Sequence, residues 1–267
     1  MSIIDVHTHA FTDALAPKAI PSIVAVANTG GGVTAHYDGT IAGLIEAMDR
    51  AGVDRSVVAP VATKPSQVTT INDWIISLPR ERIIPFGAMH PDFPDPAAEI
   101  ARLAGHGIRG IKMHSRNQDF LPDEPRMAPI YRALIESGLI VLFHAGRDMV
   151  ESGFEARPAH FARMLDAYPD LTCVLAHMGG YQFWGEVCDQ LCGRDVYLDT
   201  AYVPGNLPDD ELLALIRSHG PEKVLFGSDG PWTDVREQIA HISRLGLTPA
   251  ELTDVLGGNA ERLLDIS

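Results

Sequence analysis

The sequence predicts a single α/β domain over residues 1–267, a (β/α)8 TIM barrel with an extra C-terminal helix and a loop inserted after the first strand. Three observations predict it. Eight short runs rich in Val, Ile and Leu recur along the chain and are apolar almost throughout, as strands buried on both faces are. Longer amphipathic stretches separate them, which argues for parallel βαβ units. The chain has 267 residues, close to the roughly 250 that one closed barrel takes. A doubly wound sheet is the alternative arrangement of the same elements.

The first predicted strand is residues 2–6. Residues 10–37 follow it and contain Gly30-Gly31-Gly32; this stretch is expected to be the long inserted loop, and loops after a barrel strand often serve as lids or binding segments. Residues 38–51 read as a helix stopping at Gly52, and residues 208–219 as one stopping at Gly220, since a cap-type residue or proline opens each and glycine ends it. The remaining strands are residues 55–61, 83–89, 108–113, 139–143, 171–176, 195–198 and 223–226. Beyond Thr248 one or two extra helices are expected, ending in Asn259-Ala260-Glu261-Arg262-Leu263-Leu264.

Composition excludes several functions. The formal net charge is -14, so the surface repels phosphate backbones and anionic membranes. Neither nucleic acid nor a membrane is an expected partner; a small molecule is. No apolar run reaches the ~20 residues of a membrane helix, and the N-terminus lacks the basic stretch of a signal peptide. The three cysteines, Cys173, Cys188 and Cys192, form no framework of pairs, which points to a reducing, cytoplasmic location. Cys188 and Cys192 stand four apart but have no second ligand pair nearby for zinc.

Polar residues collect at one end of the predicted strands. Of 11 histidines, His7, His9, His90, His114, His144 and His177 stand at or just past a strand's C-terminal end, and so does Asp229. In a barrel those ends open onto the face that carries the active site. His7 and His9 are two apart on a strand and point the same way, a half-site for a divalent ion. The bland alternative is a pair of hydrogen-bonded core histidines. Asp229 could be a ligand, a general base, or a cap for a helix beginning near Pro231 and Trp232. Lys112 and His114 form a second inward pair. Lys112 could bind a substrate carboxylate, be carboxylated and bridge two metals, or serve in an ion pair. Arg116 and Arg147 are further candidates for binding an anion.

The segments Ile4-Asp5-Val6-His7-Thr8-His9, Gly110-Ile111-Lys112-Met113-His114, Phe143-His144-Ala145-Gly146, Leu175-Ala176-His177-Met178-Gly179-Gly180, Leu198-Asp199-Thr200, Phe226-Gly227-Ser228-Asp229-Gly230-Pro231 and Gly258-Asn259-Ala260-Glu261-Arg262-Leu263 resemble, in order, those of the amidohydrolase superfamily and its amidohydrolase-2 group. The resemblance implies metal ligation by His7, His9, His144 and Asp229. It implies one divalent ion, zinc first and manganese second. A second ion would draw His177 and a carboxylated Lys112 into the ligand set. It also implies catalytic roles for Asp229 and His177, substrate binding by Lys112, His114, Arg116 and Trp232, and a homodimer.

The chemistry expected from such a site is hydrolysis of a small carboxylate-bearing ester, lactone or amide. A metal-activated water attacks, and Asp229 moves the proton. Non-oxidative decarboxylation of a small carboxylic acid is the alternative, and a barrel that binds metal or ligand without turnover is the second.

Overall fold

The computed structural model describes residues 2–28, 32–148 and 153–266; Gly30 and Gly31 of the glycine run lie outside them. Eight parallel strands alternate with helices in a (β/α)8 barrel. We label them β1 (Ile4–Thr8), β2 (Arg55–Val58), β3 (Ile83–Pro85 continued by Gly87–Ala88), β4 (Gly110–His114), β5 (Ile140–His144), β6 (Cys173–Leu175), β7 (Tyr197–Asp199) and β8 (Val224–Leu225). Strand β3 is interrupted at Phe86: its first half pairs with β2 and its second with β4. The ring closes where Val6 N–H donates to Phe226 O at 2.9 Å and Asp229 N–H to His7 O at 2.9 Å. All eight predicted strands exist; several end a few residues from where hydropathy ends them, because apolar residues continue into the buried loops.

The pleat of β1 has a fault that matters. Ile4 pairs with Arg55 and Asp5 with Ser56, but Thr8 pairs with Val58, so β1 spends one residue more than β2 between Asp5 and Thr8. Such a bulge shifts the inside–outside phase of a strand. Ile4 and Val6 pack in the barrel interior with Val57, Ile84, Leu142 and Val174, and beyond the bulge His7 and His9 gather with His177 and Trp232 at the mouth.

The inserted segment after β1 is not all loop. It carries helix α1 (Ala16–Ala27), whose buried face is Ala16, Ile20 and Ala27. Pro17 and Pro21 obscured that helix in the sequence; Pro17 stands in its first turn, where proline is well tolerated, and Pro21 lies inside it. Helix α2 (Ile41–Ala51) begins where Thr40 accepts from Gly43 N–H and stops at Gly52, whose φ of 71° is the left-handed region. Helices α3 (Val68–Ser77), α4 (Pro96–Gly105), α5 (Ala128–Ser137), α6 (Pro158–Ala167) and α7 (Trp184–Gln190) follow β2 to β6 in turn. Helix α8 (Asp209–His219) places Asp209, Asp210 and Glu211 in its first turn and Arg217 and His219 in its last, matching the helix dipole. Helix α9 (Val235–Arg244) is capped by Asp234, so Asp229 is not its cap. Helices α10 (Pro249–Thr253) and α11 (Asn259–Leu264) flank one π turn, and Ala260 and Leu264 pack into the barrel interior. Among the described residues no helix is long and apolar enough to cross a membrane.

The outer layer of the core lies between strands and helices, and Phe143 is at its centre. Its ring meets those of Phe120, Tyr131 and Phe161 at 6.4, 6.2 and 5.5 Å. Replacing Phe143 with Ala should cost about 3–5 kcal/mol of folding stability. Urea denaturation would register this as a lower midpoint; an unshifted midpoint would contradict the packing described.

Candidate metal and acid–base site

The strand ends form a buried polar bowl. Backbone strain collects there: His177, Met178, Tyr202 and Asp229 have φ of 58°, 53°, 58° and 68°, all left-handed, just past β6, β7 and β8. Non-glycine residues adopt that conformation rarely, and such positions cluster at functional sites. Gly146 is required on one side of the bowl. Its φ is 94°, and a Cβ there would lie 2.1 Å from Tyr181 N, so only glycine lets the loop after β5 reach the loop after β6.

His7 is fixed from three sides. Its Nδ1 lies 2.9 Å from Asp199 Oδ2, while its Nε2 is 3.0 Å from Lys112 Nζ and 3.5 Å from Asp229 Oδ1. Burial first, and then the charge of Lys112, lowers His7 to about 4. It is therefore neutral, donates from Nδ1 to Asp199, and aims a lone pair from Nε2. His9 is oriented alike: Nδ1 donates to Ala59 O at 3.1 Å, and Nε2 sits 3.0 Å from Asp229 Oδ1. Burial would raise Asp229, but His7 and the adjacent His9 Nε2 outweigh it and hold the carboxyl well below the usual carboxylate range.

His7, His9 and Asp229 are the one group of three or more metal-type donors found among the described residues, their atoms within 4.8 Å of one another. The donor chemistry fits a divalent ion: two imidazoles, each with its far nitrogen hydrogen-bonded to an oxygen, and one ionised carboxylate. A cation bound there would replace Lys112 as the partner of His7 Nε2.

His144, expected as a fourth ligand, is not in this group. Its Nδ1 is 3.0 Å from His177 Nε2, and its Nε2 is 2.9 Å from Arg147 O. The second ring nitrogen of His177 faces Ala201 O at 2.7 Å. Two neutral imidazoles carry two N–H groups, yet these three contacts need three. One additional positive charge, a proton or a metal ion, must serve the pair. Burial first, then His114 and His177, pushes His144 well below its usual value. His114 stacks on His144 with ring centroids 4.0 Å apart, and its buried Nδ1 has no hydrogen-bond partner among the described residues.

Lys112 is 1% exposed. Burial lowers its amine to about 8 against the opposing pull of Asp199 and Asp229. Arg116 Nη1 binds Asp148 Oδ2 at 3.2 Å, and the same oxygen lies 3.7 Å from His114 Nε2. Trp232 stands 6.5 Å from the His9 ring. Tyr181 lies 6.0 Å from His177 and 5.7 Å from Tyr202, which makes one wall aromatic.

Two residues that orient the site carried no role in the sequence analysis. Asp199 is fully buried and accepts from His7 Nδ1, from His177 N–H at 2.9 Å and from Ala201 N–H at 3.0 Å. Asp5 is 2% exposed, and its Oδ1 accepts from His7 N–H at 3.1 Å and Ser228 N–H at 2.9 Å. It ties the β1 bulge to the turn that presents Asp229. Burial raises its carboxyl to about 7. The available signal was a charged residue inside an otherwise apolar run at each position.

The family model described as amidohydrolase matches residues 4–266. The chain is similar to the 5-carboxyvanillate decarboxylase of Sphingomonas paucimobilis, with 19% identity over 100% of this chain and 99% of that one and a TM-score of 0.75. It is similar to an uncharacterised TIM-barrel protein of Bordetella bronchiseptica, with 21% identity over 99% of each chain and a TM-score of 0.78. A third similar structure is a 5-carboxyvanillate decarboxylase of Novosphingobium aromaticivorans with bound manganese and 3-methoxy-4-hydroxy-5-nitrobenzoic acid, at 17% identity over 99% and 97% of the chains and a TM-score of 0.76. No curated protein matches the sequence.

Asp5 generates a prediction. Asp5→Leu removes the shared acceptor and should weaken Mn2+ or Zn2+ binding roughly 10–100-fold, as loss of an outer support does. Asp5→Asn keeps one acceptor oxygen and should retain most of the affinity. Isothermal titration with each metal decides it; equal losses in both variants would contradict a role for that oxygen.

Proposed function

The chain belongs to the amidohydrolase family, and from that premise we propose that it is a metal-dependent decarboxylase acting on a small aromatic carboxylic acid. The observation that carries the reading is a buried three-donor metal group beside an aromatic wall. The likeness to two 5-carboxyvanillate decarboxylases supports it over hydrolysis. Manganese, seen in one of them, stands beside zinc as the candidate ion.

When bound by His7, His9 and Asp229, a divalent ion supplies Lewis-acid polarisation of substrate oxygen atoms. The protein's own groups do the rest. Tyr181, Tyr202 and Trp232 offer faces and edges for a flat ring. Lys112, buried beside the metal group, attracts the carboxylate. Decarboxylation exchanges a C–CO2 bond for a C–H bond, so one proton must reach carbon as CO2 departs. Asp229 is held ionised and has no resident proton to give. The His144–His177 pair, which needs one proton beyond two neutral rings, is the place to hold it, between His144 Nδ1 and His177 Nε2.

Hydrolysis is kept as a second reading on one observation: an ionised Asp229 is what a general base requires. Substrate profiling separates the two. Hydroxylated benzoates incubated with Mn2+-loaded protein should release CO2, and a chelator should abolish release until Mn2+ is restored. Acid product from esters or lactones without CO2 would reverse the assignment. His177→Asn should lower kcat about 100-fold or more, in the range of a lost acid–base group, with metal content per chain unchanged. Undiminished kcat would remove His177 from the chemistry.

A further inference from the structure

We propose that Cys188 and Cys192 are an oxidisable dithiol, a surface modification site that closes reversibly to an intramolecular disulfide. Both are free thiols, Cys188 exposed and Cys192 half-buried, and their Sγ atoms are 3.0 Å apart. Spacing alone would not bring them so close. A regular helix keeps residues four apart at a Cβ separation of about 5–6 Å, wider than the ~3.8 Å of a disulfide. Here the chain leaves the helix between them. Helix α7 ends at Gln190, Leu191 has φ of -125°, and the N–H groups of Leu191 and Cys192 both turn back to Val187 O at 2.7 and 3.3 Å.

Zinc does not account for the pair. Among the described residues no cluster of three or more metal-type donors includes either cysteine. Nor is it a generic pair of thiols. Cys173, 1% exposed, is sealed from any oxidant by burial and has no neighbouring thiol within the pair's reach. Cys188 lies on the helix that backs the candidate site: the Trp184 indole of α7 donates to His177 O at 2.9 Å.

The oxidant is a low-molecular-weight disulfide such as oxidised glutathione. Cys188, the exposed thiol, attacks first as thiolate; the oxidant's S–S bond breaks and one thiol leaves. Burial, reinforced by Cys188, raises the Cys192 thiol to about 12, so it acts second. Its sulfur attacks Cys188 Sγ and expels the other thiol. Two electrons pass from the protein thiols to the oxidant's disulfide, and two protons end on the two released thiols.

The test uses the whole folded protein with oxidised glutathione, followed by thiol counting after unfolding and by intact mass. Of three thiols, one should remain, with two hydrogens lost, no glutathione attached, and residues 188 and 192 joined in the peptide map. Dithiothreitol should restore all three. C192S should instead carry a stable glutathione adduct on Cys188, and C188S should give no cross-link. Wild-type protein that keeps three free thiols, or that accumulates glutathione on Cys188, would overturn the proposal.

Discussion

Asp199 lies at the end of β7 with its carboxylate fully buried and accepts three hydrogen bonds, from His7 Nδ1 and from the N–H groups of His177 and Ala201. A buried carboxylate is tolerable only when paired and hydrogen-bonded. Here those needs tie three strand ends together. They set the tautomer of His7, fix where His177 begins, and turn the lone pair of His7 Nε2 toward Lys112 and Asp229. With Asp199 uncompensated, or absent, neither imidazole would keep its present aim. Burial would raise Asp199, yet His7, His177 and Lys112 together hold it below its usual value.

Charge balance governs the rest of the bowl. Lys112 supplies a cation next to two carboxylates, and burial keeps that cation weak. The His144–His177 contact is satisfied only when one more positive charge is present. These two features describe a site built to accept positive charge and to redistribute a proton. The barrel interior beneath it is plain packing: Val6, Val57, Leu142 and Val174 fill the space below the polar layer. That dry floor raises the strength of each electrostatic contact above it.

The mouth is also where the backbone departs from regular geometry. The bulge in β1 and the left-handed residues after β6, β7 and β8 each cost local energy. The core offsets it with strands buried on both sides and with helices whose caps and charges agree with their directions. Asp5 belongs to the same economy of constraint, since one oxygen holds both the bulge and the Asp229 turn.

The alternation of apolar strands and amphipathic helices determined the barrel, because burial on both strand faces writes directly into composition. It also brought His7, His9, His114, His144, His177 and Asp229 to one face, since strand ends share a face in any closed parallel ring. Helix α1 escaped that reading, because one proline at its start, another inside it and a glycine run after it look like loop. Only the tertiary structure decided which ring nitrogen points where. Asp199 lies 192 residues from the His7 it orients, and Asp229 lies 220 from the His9 it meets. Arg116 meets Asp148 beside His114, and His144 meets His177. Such choices depend on distances and directions between side chains on different strands, and periodicity within one segment carries no information about them.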